Sequence, residues 1–498
     1  AQALVLRADL DVAAEPVERL KADLAATNEQ LSASRTELAN LRAQPSAAPA
    51  AAAPAADLSG ELQRLHARRI VERGEAAFLS DQLAQLQSAA QERDALKGQL
   101  QSAQQENSQL KTELGNLQTM NTINGQVSPL RDLAPLQAVP RTFMNHTQLR
   151  DYFTKLLDKE WPAEAEARQS ASLRALDMGG AGGDLRQSQI DSMVNNILGF
   201  YDQRTKQLVV VTERSAMGVR DRVTYAHEFT HSLQDQHYNL TALFAQTAGN
   251  SDAELAMKGL VEGDATLTMS LYARNNLGAL DIANYQLEEF QSMDLGGLSF
   301  GASGPQVESA TYFPYREGAS FVAALYQQGG WKQVDAAFAR PPRSTEQVLH
   351  PERYFAGDAP VAVPMPALAL PGWRVLAEDT LCELYLRIYL EHVLTLDEAS
   401  MACDGWGGDR YQVLGDEQGH LALALNTVWD DAAAAQRFAD GVGVMVSGLG
   451  NASLLQSDAQ GARWQLAGRQ FLIRLSGTRV LVLHAPDAAT LNAIAAKF

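Results

Sequence analysis

The apolar positions of this chain change their period along its length. Val17, Leu24, Leu31 and Leu38 recur at heptad spacing, with Leu20 and Leu41 at the intervening seam position. That spacing predicts a coiled-coil helix within residues 1–43, weakened by Thr27 and Ser34 at seam sites. An Ala/Pro linker at 44–57 interrupts it, since Pro breaks a helix and the segment has nothing to bury. Heptads resume over residues 58–125. Leu86, Leu100 and Leu114 share one seam position, and Ala89, Leu96, Ala103, Leu110 and Leu117 share the other. Asn107 falls on a seam site, where a buried Asn favours a parallel dimer in one register. Two arrangements satisfy this pattern: a homo-oligomer, or packing of these helices on each other or along the rest of the chain. Gly125, Pro129, Pro135 and Pro140 mark the end of the helical extension.

The pattern of residues 130–370 is that of a globular domain. Leu149, Tyr152, Phe153, Leu156 and Leu157 line one side of a helix over 147–159. After the Gly-rich loop at 179–183 comes a helix over 190–197. Gly199-Phe200-Tyr201-Asp202 reads as a turn, and the branched run 207–212 as a strand, which as an edge strand could hold an extended peptide. No Pro or Gly occurs from Asp221 to Leu240, which predicts a helix, and another spans 252–273. Past the Pro-rich span Pro360–Pro371 lies a C-terminal region, 371–498. It reads as a helix over Leu376–Val393, a tight turn at Gly405–Tyr411, strands near 420–425, 464–466, 470–475 and 479–484, and helices from about Asp430 and Asp487. That order predicts a small α+β domain with an antiparallel sheet. Its histidines, His420 and His484, are isolated on strands and read as structural.

Composition narrows the partners. The 498 residues carry a formal net charge of -18, which argues against nucleic acid, since phosphate binding needs Lys and Arg. No apolar run is long enough to span a bilayer, so no transmembrane segment is expected. The chain begins Ala1-Gln2 without Met, which fits loss of a secretory signal and an exported location: periplasm, cell envelope or medium. Cys382 and Cys403 lack zinc-site spacing. They are one disulfide or two buried thiols, and their shared region favours the disulfide.

The chemistry concentrates in Ala226-His227-Glu228-Phe229-Thr230-His231. Residues four apart share a helix face, so His227 and His231 can present two imidazoles to one Zn²⁺. Glu228 then lies beside the open position, placed as general base on a bound water. A catalytic zinc takes a third protein ligand, and Leu260-Val261-Glu262-Gly263-Asp264-Ala265 offers two carboxylates. Helical spacing alone leaves the choice open. Glu254, Lys258 and Glu262 form a solvated stripe, whereas Asp264 falls nearer the apolar side, as a ligand itself or as an acceptor from the N–H of a ligating histidine.

In Glu262-Gly263-Asp264-Ala265 the chain resembles the gluzincin metallopeptidases, whose second helix supplies a Glu in a Glu-Gly-x-Ala variant. The resemblance covers about 200–354 and implies His227, His231 and Glu262 as metal ligands. The runs Phe313-Pro314-Tyr315-Arg316-Glu317-Gly318 and Pro341-Pro342-Arg343-Ser344 through His350-Pro351 resemble a family of bacterial exported zincins of unassigned substrate. Tyr312, Tyr315, Arg316 and His350 lie in those runs as candidate oxyanion donors, and Tyr315 and His350 are the preferred catalytic pair. Glu317 and Glu346 read as carboxylates at helix N-termini. The fold class expected is mainly α, α+β, with a zincin-like metallopeptidase core, an N-terminal coiled-coil extension and a C-terminal α+β domain. The function expected is zinc-dependent hydrolysis of peptide or protein substrates. The alternative is a non-catalytic envelope scaffold with a structural or residual metal site.

Overall fold

A computed structural model describes seven positions between residues 22 and 36, then 55–178, 185–196, 199–211, 216–283, 305–459 and 461–498. The heptads of 1–43, the linker up to residue 54 and the Gly-rich loop at 179–183 therefore fall wholly or largely outside the described residues. The chain divides into two compact units, Ala1–Glu113 and Leu114–Phe498. Helix α1, Ala55–Arg131, contributes to both. In the first unit its apolar residues Leu62, Leu65, Leu96, Leu100 and Leu110 are exposed. In the second it runs through Gly125 and Pro129, beyond the boundary those residues suggest, because Met120, Ile123 and Val127 give this stretch a buried face.

The rest belongs to the second unit. Strand β1 (Arg141–Met144) leads to α2 (His146–Glu160), whose N-cap Asn145 and Gln148 form a capping box. Then follow α3 (Ala163–Ala175), α4 (Leu185–Asn196), β2 (Gly199–Asp202) and β3 (Gln207–Val211). These strands form a sheet of order β1-β3-β2. β3 is therefore central, and the edges are β1 and β2, the latter being the segment whose four residues read as a turn. Helices α5 (Val219–Tyr238), α6 (Leu240–Ala245), α7 (Ser251–Asn276), α8 (Pro305–Gly329), α9 (Trp331–Ala339), α10 (Thr345–Leu349) and α11 (Pro351–Ala356) complete the helical body.

The C-terminal part begins with β4 (Trp373–Asp379), then α12 (Cys382–Leu390), α13 (Leu396–Cys403), β5 (Trp406–Asp416), β6 (Leu421–Trp429) and α14 (Ala432–Gly448). β7 (Ser453–Asp458), β8 (Gly461–Leu466), β9 (Arg469–Ser476), β10 (Arg479–Ala485) and α15 (Ala488–Ala495) end it. The antiparallel sheet has seven strands in the order β4-β5-β6-β10-β9-β8-β7. Two expectations change here. The helix over 376–393 starts only at Cys382, where the Leu381 and Cys382 N–H groups donate to Asp409 at 2.7 and 2.8 Å. Residues before it pair with β5 instead. Of the Gly-rich run at 405–411 only Gly405, at φ +87°, lies in a turn; β5 begins at Trp406 and is bulged between Trp406 and Gly408, where Gly408 takes φ +156°.

Cys382 and Cys403 are free, buried thiols, so the expected disulfide is absent. One apolar core joins helices and sheet: Leu260, Phe313 and Phe321 belong to the same buried cluster as Trp406, Val413 and Phe471. Helix α3 lies on β4–β6. Tyr411 donates to Ser172 Oγ at 3.0 Å, and His484 Nε2 meets the Ala175 carbonyl at 2.7 Å. His420 lies not on a strand but just before β6, where it meets Asp416 at 2.7 Å, so both histidines have structural partners.

Candidate metal centre

Local sequence makes α5 a well-bounded helix. The Asp221 carboxylate accepts from the Gly218 N–H at its start, and Asn239, in the left-handed region at φ 55°, closes it. Val223, Ala226, Phe229 and Leu233 bury one face against β3 and α1. This holds the adjoining face, with His227 and His231, toward α7.

His227 Nε2 lies 3.0 Å from His231 Nε2 and 3.0 Å from Glu262 Oε2, and His231 Nε2 lies 3.3 Å from the same oxygen. Electron-pair donors brought this close repel one another unless a cation or a proton lies among them. Tetrahedral ligands at zinc's usual distances stand about 3.3 Å apart, so the donor set fits zinc. Among the described residues no other group of His, Cys, Asp and Glu converges in this way. The ionisation of His231 and Glu262 reflects the same convergence. Burial alone would lower His231, but the Glu262 carboxylate beside it takes it to about 10. Burial would raise Glu262, but His231 and His227 hold it well below the carboxylate range. Of the two carboxylates that helical spacing left open, Glu262 is the one at the histidines.

Glycines set how closely α8 approaches this cluster. A Cβ on Gly263 would stand 2.2 Å from the Gly318 carbonyl oxygen, and one on Gly318 would stand 2.3 Å from the Gly259 carbonyl oxygen. The α7 and α8 backbones therefore touch on either side of Glu262. One turn before Gly318 is Tyr315. Its ring lies 6.1 Å from that of His227 at 31°, and it is 44% exposed. Charge on Glu262, then burial, then charge on Glu228 raise its hydroxyl well above the usual phenol range, so it remains a proton donor. Arg316 pairs with Glu317. Glu317 sits within α8 and not at its N-terminus, whereas Glu346 does lie in the first turn of α10.

Glu228 is positioned from β2. The Tyr201 N–H, on the edge of β2 away from β3, donates to Glu228 Oε2 at 2.9 Å. The Tyr201 hydroxyl donates to Asp235 at 2.8 Å, so one residue ties β2 to α5 at two points. Burial pushes the Glu228 carboxyl up, opposed by His231 and His227.

Asp264 is fully buried and meets no histidine directly. Gln234 intervenes: its Oε1 is 2.8 Å from His231 Nδ1, and its Nε2 donates to Asp264 Oδ2 at 2.9 Å. His350 is engaged elsewhere. Its Nε2 lies 3.0 Å from Glu383 and 3.2 Å from Arg387 at the junction of α10 and α11, and among the described residues it has no contact with the metal trio. Those partners give His350 a role in joining α10 to α12. Three residues at the site were not read from sequence: Gln234, Tyr201 and Arg131. Gln234 had a signal, since it follows His231 by three on one helix face. The other two reach the site only through tertiary packing.

A domain-family model described as a domain of unknown function (DUF8575) matches residues 373–495, from the start of β4 to the end of α15. No curated protein and no solved structure is similar to the chain.

Proposed function

We propose that the chain is a zinc-dependent peptidase of gluzincin type, with His227, His231 and Glu262 as the residues that hold the metal. The observation that carries this reading is the convergence of two imidazole nitrogens and one carboxylate oxygen at 3.0–3.3 Å, with a second carboxylate, Glu228, beside them. A bound zinc ion supplies Lewis acidity, making water acidic near neutral pH and polarising the scissile carbonyl. Glu228 takes the proton from the attacking water and returns it to the leaving amine. The Tyr201 N–H occupies its Oε2, which leaves Oε1 for that proton. The Tyr315 hydroxyl donates to the oxyanion as it develops. The outer edge of β2 carries main-chain groups that can align an extended peptide. The partners of this reading are peptide or protein substrates met outside the cytoplasm.

The test is Glu228→Gln. Peptide hydrolysis should fall by about 10²–10⁴-fold with zinc content unchanged. A wild-type protein without zinc, or an unimpaired variant, ends this reading.

The exposed leucines of α1 favour a second reading, an envelope scaffold that self-associates through this helix. Removing residues 1–113 separates the two. The cut stops there because Leu117 and Met120 pack in the core of the second unit. Hydrolysis by the shortened chain supports the peptidase, and loss of assembly with no hydrolysis in either form supports the scaffold.

A further inference from the structure

Arg131 has no part in the hydrolytic steps, yet this last residue of α1 is completely buried. It stands at the far end of a hydrogen-bonded series that starts on the metal trio. The nearest link is the contact of 2.8 Å between His231 Nδ1 and Gln234 Oε1. The Gln234 amide is held in one orientation because its Nε2 donates twice, to the Val261 carbonyl and to Asp264 Oδ2, both at 2.9 Å. Neither partner has a hydrogen to offer, so the amide oxygen is the atom that faces the ring. The contact is then a hydrogen bond only if Nδ1 carries the hydrogen. A neutral imidazole protonated there has its lone pair on Nε2, the atom directed at His227 and Glu262.

The series continues to α1. Arg131 Nε donates to Asp264 Oδ1 at 2.6 Å, with both side chains fully buried. Its Nη2 donates to Asp335 at 2.9 Å, and its guanidinium lies 4.4 Å over the Trp331 ring. Trp331 Nε1 in turn donates to the Leu130 carbonyl at 2.7 Å, so α9 grips the final turn of α1 from two sides.

We propose that Gln234, Asp264 and Arg131 are positioning residues that hold His231 in the tautomer a metal requires, which makes the end of α1 part of the support of the metal centre. The proposal rests on the metal-binding half of the reading above and not on hydrolysis. A buried Arg–Asp pair that only stapled α1 to α7 would affect stability and leave metal affinity alone.

The test uses the full chain and Zn²⁺ in competition with a chromophoric chelator, with melting of the metal-free proteins measured beside it. Asp264→Asn and Gln234→Leu should each bind zinc about 10–100-fold more weakly than wild type. Asp335→Asn, which alters an outer partner of Arg131, should bind as wild type does. In zinc-loaded protein labelled at histidine nitrogen, His231 should bind through Nε2 with a protonated Nδ1, and the first two variants should show mixed signals. Gln234→Leu leaves the Arg131–Asp264 pair whole and carries the test if Asp264→Asn does not fold. The proposal is overturned if both variants melt lower but hold zinc as tightly as wild type, or if wild type binds no zinc. Tight zinc binding by wild type without hydrolysis, and with weakened variants, would remove the peptidase reading and uphold the positioning residues.

Discussion

The contact of α7 with α8 makes Gly263→Ala the most informative single perturbation. Its added methyl would stand 2.2 Å from the Gly318 carbonyl oxygen, 2.3 Å from the carbonyl carbon and 2.9 Å from the Ala319 nitrogen. All three are backbone atoms, so no side chain can swing away. Reaching an ordinary carbon–oxygen separation of roughly 3.3 Å requires the helices to part by about 1 Å. Overpacking of this kind costs about 1–3 kcal/mol. The same movement separates Tyr315 on α8 from Glu262 and His227, and a misplacement near 1 Å costs about 10²-fold in rate. Gly259→Ala is the control. Its methyl would meet Val348 Cγ1 at 3.3 Å, a side-chain contact that asks for a shift of only a few tenths of an ångström and not for the backbones to part. The assay is kcat/KM on a peptide, with melting of the metal-free proteins. Gly263→Ala should melt several degrees lower and lose about two orders of magnitude in kcat/KM, with Gly259→Ala close to wild type. Equal behaviour of the two variants in both measurements would refute the argument that this contact seats Tyr315.

The remaining predictions concern the oxyanion donor and pH. Tyr315→Phe should lower kcat/KM by about 10²–10³-fold without changing zinc affinity, and an unchanged rate in steady-state assays would remove the hydroxyl from the mechanism. Burial raises the Asp252 carboxyl to about 7, and burial followed by the charge of Glu383 raises Glu346 to about 8. Each therefore binds a proton in the folded chain that it releases when unfolded. The stability this gives is fully present below the ordinary carboxylate range and is lost as pH rises through 7–8. For Asp252 it is of order 4 kcal/mol. The urea midpoint should fall between pH 5 and 8.5, and Asp252→Asn should flatten that fall; an unaltered slope would contradict it.

The parts of the site legible in sequence were those set within one helix. His227, Glu228 and His231 follow from spacing on α5 alone. Glu262 required the resemblance carried by Glu262-Gly263-Asp264-Ala265, because the pairing of α5 with α7 is tertiary. What Asp264 does could not be read, since its partner Arg131 lies far back in the chain, in a stretch whose Gly and Pro content signals a boundary. Met120, Ile123 and Val127 keep that stretch helical by packing, which overrides the local signal. Strand β2 was hidden by its length and its leading Gly199; it is a strand because β3 is there to pair with it. β4 was hidden because Leu376 and the apolar residues of α12 run together at a helix-like spacing, and only the Asp409 contacts show where the helix begins. His350 illustrates the reverse case. A histidine in a suggestive run was recruited by Glu383 and Arg387 instead.

The core that runs from Leu260 and Phe313 into Trp406 and Phe471 bears on how the chain could be divided. The segment matched by the domain-family model would, if excised, uncover the sheet face on which α3 rests, and the helical body would lose the other half of its interior. A nick in the extended connector between α11 and β4 should therefore leave two pieces that cling together, because neither can hide its oily surface without its neighbour.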